Sequence, residues 1–193
     1  MSGRAILARR VRTYIGLGAN LGNAAATVAG GIRALAAMPS VQLRGVSRLY
    51  ATEPVGVVEQ PEFRNAVVAL DVPRGPDPAT GALALLIALK QLERAFGRQE
   101  RERWGPRELD LDLLVFGRHR IAVERPPDAR SADPAKPTDL VVPHRLAGER
   151  LFVLAPLADL APRLVPPGWP ETVESVRRRR VAIEGPDAVR PIA

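Results

Sequence analysis

Gly97-Arg98-Gln99-Glu100-Arg101-Glu102-Arg103-Trp104-Gly105-Pro106-Arg107-Glu108-Leu109-Asp110-Leu111-Asp112-Leu113-Leu114-Val115-Phe116-Gly117 is the part of this 193-residue chain from which its architecture can be built outward. After Glu108 the residues alternate, Leu109, Leu111, Leu113 and Val115 on one face, Asp110, Asp112, Leu114 and Phe116 on the other. That is the period of a strand, and it points both carboxylates the same way. A two-residue step separates their Cα atoms by roughly 6.5–7 Å, so the carboxylates can lean together on hard cations about 3.5–4 Å apart. Oxygen ligands, and a chain without cysteine, favour Mg²⁺ over Zn²⁺. Before the strand, Arg98, Arg101, Arg103 and Arg107 stand among Trp104, Gly105 and Pro106, too many breakers for a helix. Guanidinium forks beside paired carboxylates suit polyphosphate transfer. The same pattern also serves as the solvated face of an antiparallel sheet next to a charged loop, so the rest of the chain has to decide.

Upstream, Asp77 as N-cap and Pro78 at the first helical position open a helix whose Leu85, Leu89, Leu92 and Phe96 form one stripe, and Gly97 ends it. Downstream, Gly117-Arg118 reads as a tight turn into a partner strand around Ile121 and Val123. Residues 124–139, with Pro126, Pro127, Pro134 and Pro137, read as a proline-rich insertion. Order resumes at residues 140–144, and residues 150–160 read as a short apolar helix interrupted at Pro156. Residues 166–193 read as an irregular tail carrying the basic run 177–180.

Toward the other end, residues 1–10 read as a disordered or frayed basic extension and residues 11–18 as a first strand. Gly18-Ala19-Asn20-Leu21-Gly22-Asn23 reads as a turn. Val28, Ile32 and Leu35 mark a helix stopped by Pro39 and weakened by Gly30 and Gly31. Gly16, Gly18 and Gly22 fit neither the dinucleotide fingerprint nor the P-loop and read as turn residues. Strands follow over 41–50 and 65–72, separated by a loop long enough to be functional. The order β-α-β-β-α-β predicts an α+β fold, a ferredoxin-like antiparallel sheet flanked by helices, in a single domain over residues 11–165.

With 46% apolar residues and no run approaching a membrane span, the chain reads as a soluble protein, expected to be cytoplasmic. Its net charge of +7 comes almost wholly from arginine, which favours anionic partners.

The segments Tyr14-Ile15-Gly16-Leu17-Gly18-Ala19-Asn20-Leu21-Gly22, Tyr50-Ala51-Thr52-Glu53-Pro54-Val55-Gly56, Gln60-Pro61-Glu62-Phe63-Arg64-Asn65-Ala66, Arg103-Trp104-Gly105-Pro106-Arg107-Glu108-Leu109-Asp110-Leu111-Asp112 and Val142-Pro143-His144 together resemble the 6-hydroxymethyl-7,8-dihydropterin pyrophosphokinases of folate biosynthesis. The resemblance runs from about Val11 to Pro162. It implies transfer of pyrophosphate from ATP to the hydroxymethyl pterin, with release of AMP. By carry-over, Asp110 and Asp112 would hold two Mg²⁺ ions and, with Arg98 and Arg107, form the catalytic set. Glu93, Arg101, Trp104, His144 and Arg150 would bind ATP. Thr52, Pro54, Val55, Phe63, Asn65, Trp104 and Phe152 would bind the pterin, Phe63 and Phe152 as the two walls of a slot. No nucleic-acid or membrane partner is implied, and a monomer is expected. The sequence departs from the family pattern in its long insertion and in Asp139, near where other members carry an arginine before Val-Pro-His.

A small basic RNA-binding module on a similar sheet is the rival reading. It calls for aromatics on the central strands, whereas these strands carry Val67, Leu70, Leu111 and two aspartates that repel phosphate unless a metal intervenes. A non-catalytic interaction protein leaves the Arg/Trp/Asp-x-Asp block without a purpose.

Overall fold

A computed structural model describes residues 9–54, 59–99, 105–130 and 137–192. The central sheet has the order β5-β1-β4-β3-β8, with β2 also pairing β4, and all of these pairs are antiparallel. The strands are β1 (Arg10–Ala19), β2 (Gln42–Val46), β3 (Leu49–Thr52), β4 (Phe63–Pro73), β5 (Asp110–Phe116) and β8 (Val189–Ile192). A second, two-stranded sheet pairs β6 (Ile121–Glu124) with β7 (Asp139–Val142). The helices are α1 (Ala24–Ala37), α2 (Pro78–Ala95), α3 (Leu151–Leu160) and α4 (Val173–Glu184). The inner order β5-β1-β4-β2 is the ferredoxin-like arrangement expected from the sequence.

The sheet is covered on both faces. On one, α1 and α2 pack Val28, Leu35, Leu85, Leu86 and Leu89 against Leu17, Leu109, Leu111, Leu113 and Phe116. On the other, α3 and α4 pack Leu154, Leu157, Val173 and Val176 against Tyr14, Val67, Ala69, Leu114 and Val115. Gly31 explains why a helix with a weak local propensity sits here. A Cβ on Gly31 would lie 3.1 Å from Leu109 and 3.2 Å from Leu17, so the glycine lets α1 approach the sheet closely. Asn23 caps α1, accepting from Ala26 N, and Asp77 caps α2, accepting from Thr80 N.

Several expectations are corrected. The β5 alternation holds only as far as Leu114. The β1–β5 register shifts between Tyr14 and Ile15, pairing Tyr14 with Val115 but Ile15 with Leu113. Leu114 is the extra residue of a bulge, and the bulge returns Phe116 to the leucine face and sends Val115 to the other. The strand expected over 41–50 is two strands, broken where Ser47 N donates to Val67 O and Ser47 Oγ accepts from Val67 N. Gly16 and Gly18, within the strand expected over 11–18 but also read as turn residues, lie inside β1. Strand β6 pairs with β7 and not with β5. Helix α3 runs unbroken through Pro156.

The largest correction concerns residues 166–193. They are not an irregular tail, because they form α4, capped by Thr172, and β8, which extends the main sheet. The basic run is an ion-pair ladder on α4. Arg177 and Arg178 pair with Glu174, Arg179 with Glu171 and Arg180 with Glu184. Part of the proline-rich insertion is also ordered, residues Pro127–Ala129 forming a 3₁₀ turn. The extension of residues 1–8 lies outside the described residues. Among the described residues no helix is long and apolar enough to cross a membrane.

Candidate active site

The carboxylates of Asp110 and Asp112 face the α3 side of the sheet, and the residues directly opposite them on β1 are Gly18 and Gly16. Cross-strand partners share a face, so the two glycines leave open the space a side chain would fill. On the far side of β1, Gly18 faces Asn65 of β4, and Asn65 in turn faces Tyr50 of β3. One row across four strands thus runs from a carboxylate, over a bare backbone, to a buried amide.

An open cleft of about 90 Å³ lies over this row. It is bounded by Thr52, Phe63 and Asn65 on one side, by Arg107, Asp110 and Asp112 on the other, and by Arg150 and Phe152 from the start of α3. Eight of the residues singled out in the sequence therefore converge. Asn65 is buried and donates from Nδ2 to Thr52 Oγ1 at 2.8 Å, which fixes the amide's orientation. The Arg150 guanidinium sits 5.5 Å from the centre of the Phe152 ring, a cation over the wall of the cleft.

The two carboxylates differ in their surroundings. Asp110 is gripped by Arg98 Nη1 at one oxygen and by Arg107 Nη1 at the other. Burial alone would push its carboxyl up, but Arg107 and Arg98 hold it well below the usual range. Asp112 makes no hydrogen bond or ion pair with any described residue, and its charge is felt by Arg98, Arg125 and Arg150. Asp112 is thus an oxygen donor open to a cation. Among the described residues no group of three or more His, Cys, Asp or Glu side chains gathers around a point. Two carboxylates without a closed cage fit Mg²⁺ arriving on a nucleotide, since that ion takes its remaining ligands from phosphate and water.

Glu93, expected at the nucleotide, lies beneath β5 as a support. It is 2% exposed, and its Oε1 accepts from Leu111 N at 2.8 Å and Lys90 Nζ at 2.8 Å and is ion-paired with Arg98 Nη1 at 2.6 Å. Burial pushes its carboxyl up, against the pull of Lys90 and Arg98. Glu93 therefore sets the height of β5 next to Asp110 and positions Arg98, which reaches the carboxylate from outside the cleft lining. His144 lies at the end of β7 rather than in the cleft, its N–H donating to Leu114 O at 2.9 Å and its Nδ1 accepting from Leu146 N at 3.3 Å. Pro54 is half-buried near Thr52 but does not line the cleft. Val55, Arg101 and Trp104 lie outside the described residues.

Asn20 was quoted in the sequence only as part of a motif, yet it joins two loops. Its Oδ1 accepts from Arg107 N at 2.8 Å and its N–H donates to Arg107 O at 3.1 Å. Its Nδ2 donates to Gln60 Oε1 at 2.9 Å and Pro61 O at 3.0 Å. Arg125, just beyond β6, was also missed. It is half-buried, donates from Nε to Asp139 O at 3.1 Å and makes no ion pair among the described residues. Burial pushes its guanidinium down, and Asp112 pulls it back up. The only signal for Gly16 and Gly18 was glycine in a strand pattern, which marks close approach of a ligand or backbone.

The fold and this cleft describe an α+β protein built to hold anions against a carboxylate pair. Residues 14–162 match the family described as 7,8-dihydro-6-hydroxymethylpterin-pyrophosphokinase (HPPK). The chain is 40% identical over 154 residues to a 2-amino-4-hydroxy-6-hydroxymethyldihydropteridine pyrophosphokinase of Methylorubrum extorquens, covering 80% of this chain and 85% of that one. It is also 40% identical over 153 residues to the Pseudomonas aeruginosa protein of the same name, covering 79% and 82%. A crystal structure of Plasmodium falciparum HPPK-DHPS with pteroate superposes with a TM-score of 0.67 at 15% identity, over 91% of this chain and 43% of that one. The chain belongs to the 7,8-dihydro-6-hydroxymethylpterin-pyrophosphokinase family and is a pyrophosphokinase.

Proposed function

We propose that the chain transfers the β,γ-pyrophosphoryl group of ATP to the hydroxymethyl oxygen of 6-hydroxymethyl-7,8-dihydropterin in folate biosynthesis, with Mg²⁺ held by Asp110 and Asp112. The hydroxyl oxygen bonds to the β-phosphorus, the bond from that phosphorus to the α,β-bridging oxygen breaks, and AMP leaves. The hydroxyl proton passes to water. Bound Mg²⁺ would neutralise phosphate charge and hold the reacting oxygens in line.

The chain's own residues do the rest by positioning. Phe63 and Phe152 receive a flat ring between them, and Asn65, fixed by Thr52, reads its edge. Arg107 and Arg150 face the transferring group from the cleft wall. Arg98 keeps Asp110 in place from behind, and Arg125 adds positive charge beside Asp112 for the rest of the phosphate chain. His144, whose backbone N–H bonds Leu114 two residues beyond Asp112, would meet the nucleotide.

The observation that carries this reading is the juxtaposition on one sheet face of Asp110 and Asp112, two opposing glycines and the Phe63/Asn65/Phe152 slot. The test is to mix purified protein with Mg²⁺, ATP and the hydroxymethyl dihydropterin and identify the nucleotide product. AMP in equal amount to pterin pyrophosphate is expected. ADP as product, or no consumption of ATP, would overturn the reading.

A further inference from the structure

Strand β8 lies beyond residue 162, where the match to the family ends, and it meets both ends of the loop that enters and leaves the ring-binding side of the cleft. At the entry, Thr52 pairs with Val189 of β8 on one side and with Phe63 of β4 on the other. Thr52 is the residue that orients the Asn65 amide. At the exit, Glu62 precedes Phe63, and Glu62 Oε1 is ion-paired with Arg190 Nη2 of β8. The other oxygen of Glu62 accepts from Arg64 Nη1 at 3.0 Å.

Without β8, strand β3 would be an open sheet edge, its outward amides and carbonyls facing water. Thr52 would then be held from the β4 side alone. The Arg190–Glu62 pair closes the frame, because one strand now holds the last residues before the loop through its backbone and the loop's own last residue through a side chain.

We propose that β8, acting through Arg190 and Glu62, is a positioning element that presents Thr52, Phe63 and Asn65 to the pterin. It sets affinity for that substrate without touching it. The inference rests on the pterin reading of the slot.

The test measures binding of 6-hydroxymethylpterin by calorimetry and steady-state kinetics on full-length variants. An exposed pair of this kind is worth enough to change an equilibrium constant about two- to fivefold. Arg190→Ala is therefore expected to raise the pterin Kd and KM by about two- to fivefold, with kcat and affinity for Mg-ATP unchanged. Arg190→Lys should retain most of the wild-type affinity. Because Arg190 acts through Glu62, the Arg190→Ala/Glu62→Ala double variant should bind pterin no more weakly than Glu62→Ala alone. Unchanged pterin affinity in Arg190→Ala, additive losses in the double variant, or an equal loss of Mg-ATP affinity would each overturn the proposal. Failure of the wild-type protein to bind pterin would instead sink the substrate reading, and the proposal with it.

Discussion

Gly18 of β1 stands directly opposite Asn65 of β4, and a Cβ placed on Gly18 would lie 3.1 Å from Asn65 Oδ1. That separation is too short for comfort. The amide is held by Thr52 and has little room to retreat. Gly16, two residues back, is different, since a Cβ there would meet only the Leu114 side chain at 3.5 Å, an ordinary contact.

The two glycines therefore predict a contrast. Gly18→Ala should shift Asn65 and raise the KM for pterin by about tenfold or more, the scale of one misaligned hydrogen bond of about 1–2 kcal/mol. Gly16→Ala should fold normally and keep its pterin affinity. Equal effects of the two substitutions on pterin KM would mean that the spacing to Asn65 is not what matters.

Asp110 and Asp112 should both be needed for turnover yet differ in stability. Removing Asp110 leaves Arg107 partly buried without its carboxylate and Arg98 paired with Glu93 alone, at a cost of about 1–3 kcal/mol. Removing Asp112 breaks no bond to a described residue. Asp110→Ala is thus expected to unfold at lower temperature than wild type and Asp112→Ala at the same temperature or slightly higher, while AMP formation is lost in both. Thermal unfolding read alongside nucleotide product decides it, and substantial turnover by either variant would count against the carboxylate pair.

How far the sequence carried this site depended on whether the signal was local. Asp110 and Asp112 were legible because a period of two needs only its own strand, and the α2 helix because its cap, first-turn proline and terminal glycine are adjacent in sequence. The bulge at Leu114 was not legible, since it arises from the register against Tyr14 and Ile15, about a hundred positions away. The support that Glu93 gives β5 was not legible for the same reason: nothing near it in sequence announces that Leu111 N would need an acceptor. The residues after 166 looked irregular because of Pro166, Pro167 and Pro170. The missed signal was helical spacing, Glu174 standing three and four residues before Arg177 and Arg178 and Glu184 four after Arg180.

Asn20 gives a prediction about loops. Its amide bonds Arg107 on one side and Gln60 and Pro61 on the other, and it is 2% exposed. Asn20→Ala should lose about 1–3 kcal/mol of stability through the unpaired partners. It should also lower kcat at least tenfold, because Arg107 loses the bond that places its backbone. Asn20→Asp keeps the acceptor for Arg107 N and gives up the donor to Gln60 and Pro61. Its kcat should fall less than that of the alanine variant, and an equal fall would place the effect in the 60–61 loop.

The α4 ladder predicts how stability varies with acid. Glu174 is drawn down to about 2 from an ordinary 4.5, by hydrogen bonds from Arg177 and then Arg178 against a modest burial penalty. A carboxyl depressed on folding stabilises the native state above its unfolded pKa and loses that contribution as pH falls through the folded one. Wild type should therefore exceed Glu174→Gln in unfolding midpoint at pH 7, by about 1–3 °C for so exposed a pair. The gap should close between about pH 4.5 and pH 2. A gap unchanged at pH 2.5 would show that charge at Glu174 is not its source.

Arg125 tests the nucleotide side. A half-buried guanidinium beside Asp112, bonded to the carbonyl of Asp139 and to no carboxylate among the described residues, carries a charge that burial disfavours. A bound phosphate chain would relieve that cost, and each charge-assisted hydrogen bond it made would contribute about 1.5–3 kcal/mol. Arg125→Ala is expected to weaken binding of a non-reacting ATP analogue by about tenfold to a hundredfold, leaving pterin binding and the unfolding temperature close to wild type. The loss should be much smaller for AMP, which lacks the outer phosphates. If AMP and the ATP analogue weakened equally, Arg125 would be acting on the nucleoside or on the β6–β7 hairpin rather than on the phosphates, and its place in the site would have to be redrawn.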